Sequence, residues 1–217
     1  MRDSVKWEST FPQYSIIKHP TAGSAMHEIA LESRDPGSLR DEIAQLRATI
    51  VQLEDKVIEL DRLAHLDPLV EVMNRRGLMR ELQTMIARHE RHDAPSAVLF
   101  VDLNGLRSLN NHFGHEGGDA ALVHVSRQLL SGVRITDCVA RLGGDEFCIL
   151  LEHADEQSAI ETAERLVTLV AEGDFSIDGE RVPLAVAIGV TALKRGDTPA
   201  DVLARADRAM YRVKAAA

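Results

Sequence analysis

Two adjacent carboxylates follow a pair of glycines in the second half of the chain, in the segment Gly143-Gly144-Asp145-Glu146. Apolar residues flank this segment, which predicts two strands joined by a tight turn. Glycine allows positive φ values and a close approach of the backbone to a ligand. Neighbouring carboxylates repel each other, so their proximity favours a cation such as Mg²⁺ bound to nucleotide phosphates. An ordinary hairpin with solvent-exposed acids is the alternative interpretation.

A third acid, Asp102, strengthens the cation-binding interpretation. It follows a short apolar run, residues 97–101, which is typical of a buried strand. A sheet that places this strand beside the hairpin would bring Asp102 close to Asp145. Two hard oxygen ligands, together with phosphate oxygens and water, would then form a six-coordinate Mg²⁺ site, for which Mn²⁺ is an alternative metal.

Five motifs in a fixed order resemble the GGDEF domain of diguanylate cyclases, which condense two GTP molecules into cyclic di-GMP and two pyrophosphates. The motifs are Asp67-Pro68-Leu69, Asn74-Arg75-Arg76, Asn110-Asn111-His112-Phe113-Gly114-His115, Gly143-Gly144-Asp145-Glu146-Phe147, and Arg205-Ala206-Asp207 with Tyr211 and Lys214. Alternating strands and helices around a hairpin predict an α+β fold with helices packed on a sheet. The resemblance implies a palm-like sheet of the nucleotidyl cyclase type, with about five strands.

The resemblance also assigns a metal site and a base. Asp102, the carbonyl of Leu103, Asp145 and Glu146 are expected to bind Mg²⁺. Glu146 is expected to help deprotonate the 3′-hydroxyl that attacks the α-phosphate of a second GTP. Asp145 and Asp102 complete the catalytic set.

A second set of positions is expected to bind GTP. Asn110 and Asp119 correspond to the guanine-reading residues of the family, and an amide and a carboxylate suit the hydrogen-bonding edge of guanine. A helix cap at Asp119, opening a helix over residues 120–130, is the structural alternative. The amides of Gly105 and Leu106 are expected to face the phosphates, because a free helix N-terminus favours an anion. The other expected substrate contacts are His115, Gly143, Gly144 and Lys214.

The segment Arg134-Ile135-Thr136-Asp137 stands where the family carries its product-inhibition site. An arginine can bind a phosphate or stack on guanine, while an aspartate accepts hydrogen bonds from the base. Arg165 occupies another position that contributes to this site in the family. These residues predict feedback inhibition by cyclic di-GMP, whereas a set of solvated surface charges is the alternative.

Residues 38–66 carry an apolar seam whose spacing alternates between four and three. The a positions hold Ile43, Ile50 and Val57, and the d positions hold Leu46, Leu53 and Leu60. β-Branched residues at a with leucine at d favour a parallel two-stranded coiled coil, so a homodimer is predicted. Ser38 is the predicted helix N-cap. A single amphipathic helix lying on the domain is the alternative.

Residues 1–37 show no sustained hydrophobic period and contain several helix-breaking residues. The missing period predicts an unattached tail. An apolar patch in the same segment predicts the alternative, in which the segment docks on another protein or on the coil. The patch consists of Trp7, Phe11, Tyr14, Ile16 and Ile17. The predicted organisation is therefore a tail (1–37), a coiled-coil helix (38–66) and a cyclase-like domain (67–217).

Composition excludes several other classes. The formal net charge of −9 argues against non-specific nucleic-acid binding, which needs a basic footprint. No apolar run approaches the ~18 residues of a spanning helix, and the N-terminus lacks a signal-peptide core, so a cytoplasmic protein without a membrane span is predicted. Two cysteines, Cys138 and Cys148, predict free thiols rather than a bridge.

Departures from the family pattern keep two other functions open. Val70-Glu71-Val72 replaces the usual Thr-Gly-Leu, and the chain has no Gly-Arg-Asn segment after Lys214, which predicts altered signal transmission and weaker nucleotide binding. One alternative is a catalytically weak or inactive domain that binds cyclic di-GMP through Arg134 and Asp137. The other is a coiled-coil interaction protein for which the domain is a scaffold.

Overall fold

The structure is a computed structural model that describes residues 36–216. Residues 1–35 and Ala217 lie outside the described residues, and so does the predicted N-terminal docking patch. The chain divides into two units between Thr49 and Ile50, and the part of the first helix from Ile50 onward belongs to the same unit as the sheet.

The predicted α+β class is confirmed. The helices are α1 (Pro36–His65), α2 (Arg75–His92), α3 (Leu106–Ser131), α4 (Glu156–Glu172) and α5 (Pro199–Ala216). The strands are β1 (Ser96–Leu103), β2 (Cys138–Gly143), β3 (Glu146–Glu152), β4 (Ser176–Ile177), β5 (Glu180–Arg181) and β6 (Val186–Ala192). Within the described part, no helix combines the length and the apolar character that a membrane crossing requires.

The main sheet has the strand order β2-β3-β1-β6, and each neighbouring pair is antiparallel. The expectation of about five strands in one sheet is wrong for residues 36–216, where the main sheet has four. The two remaining strands pair only with each other, as a short β4-β5 hairpin. The segment after Phe175 is therefore a separate hairpin.

Strand β1 is buried along its whole length because it is a central strand with helices on both faces. Leu99 and Val101 pack with residues of α3 and α4, whereas Val98 and Phe100 pack with residues of α2 and α5. A strand that is covered on both sides reads as a continuous apolar run. The side chain of Asp102 follows Val98 and Phe100 at a period of two, so it lies on the α2 and α5 side.

Both cysteines are free thiols, as predicted. Cys148 is fully buried in the cluster between the sheet, α2 and α5, and this burial raises the pKa of its thiol to about 12. Its role in the structure is packing.

Helix α3 differs from the prediction. It begins at Leu106, so Asp119 lies inside the helix and the prediction that it opens a helix there is wrong. The helix is kinked at Gly114, which has φ 74° and ψ 178°. Glycine tolerates this positive φ, and the chain resumes a helical path after it. The helix ends before Gly132, as expected.

The seam residues of α1 are all exposed in the single chain. Their exposed fractions run from 49% at Ile43 to 65% at Leu60. Val51, Ile58 and Leu63 are also exposed, so the apolar surface is wider than the predicted seam. Ser38 lies within the helix, which includes Pro36, so its prediction as the N-cap is wrong. Proline suits the first turn because an N–H group is not needed there.

Asn74 joins the end of α1 to the start of α2. Its Nδ2 donates to the carbonyls of Ala64 (3.0 Å) and Leu66 (3.1 Å), and its Oδ1 accepts from the N–H of Gly77 (2.9 Å). A Cβ at Gly77 would lie 2.6 Å from the carbonyl oxygen of His65. The predicted start of α2 at Asn74 is confirmed, and one amide side chain positions both helices.

Arg205 fixes α5 against the edge strand β6. Its guanidinium donates to Thr191 Oγ1 (2.6 Å) and to the carboxylate of Asp197 (2.6 Å and 2.9 Å). The hydrogen bonds from Arg205 hold the pKa of Asp197 below its ordinary value, with burial opposing them. These contacts of Arg205 position α5 on the sheet, and with it Lys214 in the last turn of the helix.

Candidate active site

The glycine pair forms the predicted turn between β2 and β3. Gly143 has φ 142° and Gly144 has φ 55°, and both residues are exposed. Residues other than glycine rarely adopt these φ angles. The register of the two strands shifts between Arg141 and Gly143, where the turn begins. The backbone of the turn is thus open to a ligand.

Pairing of β1 with β3 brings two of the predicted acids together. Strand β1 continues to Leu103 instead of ending before Asp102, and Asp102 lies directly opposite Glu146. The N–H of Leu103 donates to the carbonyl of Asp145 at 3.0 Å. Asp102 is 7% exposed, so its carboxylate is almost buried at this edge.

Glu146 is influenced by its burial and by the acids around it. Burial is the first cause that raises the pKa of Glu146, and the carboxylates of Asp145, Asp102 and Asp207 raise it further. Arg75 acts in the opposite direction. The predicted acids therefore lie close enough to interact electrostatically. The sequence reasoning missed Asp207 and Arg75 as neighbours of Glu146. Both lie within motifs of the sequence, but the spacing of the motifs alone did not indicate that these residues lie near Glu146.

Lys214 is the counter-ion of Asp102. Its Nζ donates to Asp102 Oδ1 at 2.5 Å, which links the last turn of α5 to the end of β1. The sequence predicted that Lys214 contacts phosphate and did not foresee a bond to Asp102.

The acids have the right chemistry for a hard cation, because carboxylate oxygens are the ligands that Mg²⁺ and Mn²⁺ prefer. Asp102, Asp145 and Glu146 fit such an ion as donors. Among residues 36–216, no three His, Cys, Asp or Glu side chains are already arranged as a metal site. One of the donors, Asp102, is engaged by Lys214 instead.

Arg141 supports the turn from inside β2. Its Nε and Nη2 donate to the carbonyl of Gly144 at 3.1 Å and 2.8 Å, and its Nη1 lies 3.4 Å from Asp67 Oδ1. Asp67 also accepts from the N–H groups of Leu69 and Val70. This connection joins the first motif to the glycine turn, and the sequence reasoning missed it. Its only sequence signal was an arginine two residues before the glycines.

The predicted phosphate-facing amides lie at the N-terminus of α3. Gly105 is the N-cap residue, with φ 76° and no side-chain capping bond. The helix therefore begins at Leu106 without a side chain that satisfies its first amides. Asn104 donates its N–H to the carbonyl of Ala185 at 2.9 Å, which holds the preceding turn in place.

The predicted guanine readers come from the two sides of the α3 kink. The side chain of Asn110 lies so close to Gly118 that a Cβ there would be 1.8 Å from Asn110 Oδ1. Gly118 is buried and directly precedes Asp119, which is exposed. The kink thus brings Asn110 next to the backbone that carries Asp119, while His115 is exposed just after Gly114.

The predicted inhibitory residues line one small cavity of about 80 Å³. Arg134, Asp137 and Arg165 all contribute, together with His153 and Ser158. The carboxylate of Asp137 accepts from the N–H of Arg134 (2.8 Å) and from the N–H of Glu152 (3.3 Å). Asp137 therefore also fixes the loop, a role that the sequence reasoning missed.

Comparisons with known proteins identify relatives of this chain. The family model for the diguanylate cyclase GGDEF domain matches residues 64–217. The bifunctional diguanylate cyclase/cyclic di-GMP phosphodiesterase MucR of Pseudomonas aeruginosa is 38% identical over 72% of this chain and 23% of its own length. Diguanylate cyclase TpbB of the same species is 33% identical over 90% of this chain and 44% of its own length. The chain thus spans less than half of these curated relatives.

Two crystal structures share the fold. Diguanylate cyclase SiaD of Pseudomonas aeruginosa, solved with its activator SiaC, has a TM-score of 0.70 and 28% identity over 86% of this chain and 73% of that chain. The coiled coil and GGDEF domain of DgcB from Caulobacter crescentus, solved with cyclic di-GMP, has a TM-score of 0.78 over 82% of this chain and 95% of that chain. At 23% identity the latter likeness concerns the fold alone. With its intact glycine turn and the family match over residues 64–217, the chain belongs to the GGDEF-domain family of diguanylate cyclases.

Proposed function

We propose that this chain condenses two GTP molecules into cyclic di-GMP and two pyrophosphates. The observation that carries the proposal is the pairing of Asp102 with Glu146 across β1 and β3, beside the open Gly143 and Gly144 turn. The diguanylate cyclase relatives support the same activity.

Glu146 is the proposed base. Its carboxylate lies at the start of β3, opposite Asp102 and beside the open glycine turn, and a positioned carboxylate can act as a general base. It removes the proton of the 3′-hydroxyl of one GTP, the oxygen forms a bond to the α-phosphorus of the second GTP, and pyrophosphate leaves. The same step repeated in the opposite direction closes the ring.

Asp102, Asp145 and Glu146 would hold a divalent cation. When bound, Mg²⁺ would neutralise the phosphates and stabilise negative charge in the transition state. The amides at Gly105 and Leu106 orient the phosphates from the helix N-terminus. Asn110 and Asp119 read the guanine edge. Each domain then holds one GTP, so two domains must meet.

A parallel coiled-coil dimer would bring the two half-sites together. The seam of α1 is exposed in the single chain, from 49% at Ile43 to 65% at Leu60, and an apolar surface of this kind marks an interaction site. A second copy with the same heptad pattern fits that surface. Tethering raises the effective concentration of the second half-site to roughly the millimolar range, which converts an encounter into a domain movement.

The deciding experiment is incubation of the full chain with GTP and Mg²⁺, followed by chromatography of the nucleotides. Cyclic di-GMP and pyrophosphate are the expected products, and the Asp145→Ala variant is the matched control without product. Unchanged GTP in the wild-type reaction, under conditions where the chain is dimeric, would contradict the proposal.

The dimer is tested separately by substitution on the seam. Replacing Ile50 and Leu53 by Asp should shift sedimentation to the monomer and reduce turnover in proportion to the lost dimer. Ile58→Asp is the control, since Ile58 is also an exposed apolar residue of α1 but lies off the seam. Full turnover by a monomeric seam variant would remove the coil from the mechanism.

A second candidate is a cyclic di-GMP receptor with little or no turnover. It is favoured by the convergence of Arg134, Asp137 and Arg165 on one cavity, which is formed without the acids of the turn. In an active enzyme the same cavity would serve product inhibition. Tight binding of cyclic di-GMP in calorimetry, combined with no product from GTP, would favour the receptor.

A further inference from the structure

The ion pair between Lys214 and Asp102 lies at the position where the divalent cation is expected. Lys214 Nζ is 2.5 Å from Asp102 Oδ1, and the two residues are 112 positions apart in the chain. The Asp102 side chain is only 10% exposed, whereas that of Lys214 is 40% exposed. The carboxylate is therefore fixed and nearly buried, and the ammonium approaches it from the solvent side.

A buried carboxylate without a positive partner is costly, so Lys214 stabilises Asp102 when no metal is bound. An ammonium and a divalent cation compete for the negative charge of the same carboxylate. They also repel each other at such short range. The metal therefore binds Asp102 more tightly once the ammonium has moved away.

The side chain of Lys214 is able to move. It is part of the last turn of α5, it is partly exposed, and a lysine stem is long and flexible. After displacement, its ammonium needs another anion close to the site. The phosphates that accompany the metal supply that anion, whereas a metal ion that arrives alone does not.

We propose that Lys214 occupies the metal's place at Asp102 in the nucleotide-free protein and thereby makes divalent-metal binding and nucleoside triphosphate binding depend on each other. Metal alone competes with Lys214, but metal together with triphosphate gives Lys214 a new partner. By linkage, each ligand then raises the affinity for the other by the same factor. This inference rests on the proposed function, since it assumes that Asp102 is a metal ligand.

The test measures metal binding without turnover. Mn²⁺ is titrated into the full chain in weakly alkaline buffer without nucleotide, and free Mn²⁺ is followed by electron paramagnetic resonance. Lys214→Met keeps the length of the side chain and removes its charge. We expect this variant to bind Mn²⁺ about fivefold more tightly than the wild type, because the competing ion pair is gone. Lys214→Arg should retain the wild-type affinity.

A second titration measures the dependence between the ligands. In the wild type, a non-hydrolysable GTP analogue should tighten Mn²⁺ binding by a larger factor than in Lys214→Met. Lys194→Met is the control for net charge, since Lys194 lies in an exposed segment after β6. It should behave as the wild type in both titrations.

The outcomes separate the two proposals. If the wild type binds Mn²⁺ and Lys214→Met binds it equally well or more weakly, the role proposed for Lys214 is contradicted. The proposed function is then left intact. Absence of Mn²⁺ binding in every variant, with or without the analogue, contradicts the metal site on which both proposals rest. The chromatographic assay for cyclic di-GMP then decides the activity independently.

Discussion

Strand β3 carries a candidate site at each end, and the two differ in how complete they are. Glu146 begins the strand and Glu152 ends it, about 20 Å apart at the usual rise per residue. At the first end, burial and then repulsion from neighbouring carboxylates raise the pKa of Glu146. At the second end, Asp137 is already bonded to two backbone N–H groups beside Arg134 and Arg165.

At the acid end, around Asp102 and Glu146, carboxylates still repel one another, whereas the arginine end, around Arg134 and Asp137, is built by the protein's own hydrogen bonds. Neighbouring carboxylates favour a cation between them. Substitutions at one end of β3 should therefore leave the other end functional. Each of the following changes tests that independence.

The largest effect is expected from Glu146→Gln. Turnover should fall by about 10²–10⁴-fold, because an amide cannot accept the proton of the 3′-hydroxyl. Binding of GTP, measured by calorimetry, should remain close to the wild-type value, and so should binding of cyclic di-GMP.

Glu152→Gln is the matched control on the same strand. Glu152 pairs with Arg88 at the surface, and loss of such a pair has a small effect. Robust turnover by Glu146→Gln would remove Glu146 from the mechanism.

Arg141→Ala should reduce turnover next most strongly, by up to about a hundredfold. The substitution removes both hydrogen bonds to the Gly144 carbonyl and the contact with Asp67, so the turn loses its support and misplaces the acids. Initial rates of product formation provide the measurement. Arg88→Ala removes the same charge near the other end of β3 and should keep its rate. Equal rates for both variants would show that the turn needs no such support.

Arg134→Ala should act at the arginine end alone. Loss of one charge-assisted contact should weaken cyclic di-GMP binding by about tenfold or more. Initial turnover, before product accumulates, should not change, while inhibition by added cyclic di-GMP should decrease. A variant that loses initial turnover would contradict the independence of the two ends. Arg127→Ala, on the exposed surface of α3, is the control.

The smallest expected effect is on stability. The pKa of Glu146 is raised in the folded protein, so the folded state holds the proton more tightly than the unfolded state. Stability from this group is therefore lost as the pH rises from the ordinary glutamate range through the raised pKa. Glu146→Gln should be more stable than the wild type at neutral pH, by at most about 0.5 kcal/mol after solvent screening.

Thermal unfolding of both proteins at acidic and neutral pH measures this difference. The advantage of the variant should disappear in acid, where the wild-type carboxyl is protonated. A variant that is less stable than the wild type at neutral pH would show that Glu146 makes favourable contacts that outweigh its repulsion.

Local elements were predictable to within a few residues. The turn at Gly143 and Gly144 and the start of α2 at Asn74 came from short-range patterns, because turns and caps depend on neighbouring residues. Helix α3 was mistaken at Asp119, since a single kinked helix can continue past Gly114 where a glycine-rich segment suggests a break. The strand count was also wrong, because pairing partners are set by distant parts of the chain.

The amino-acid sequence determined which side chains can bind a cation or a nucleotide. They are adjacent acids after a glycine turn, an acid after a buried strand, and an arginine and an aspartate before the hairpin. Which of these side chains come into contact depends on the tertiary structure. The pairing of Asp102 with Glu146, the bond of Lys214 to Asp102 and the contact of Arg141 with Asp67 join segments up to 112 residues apart. Such contacts follow from strand register and helix packing, which depend on the whole core rather than on any local pattern.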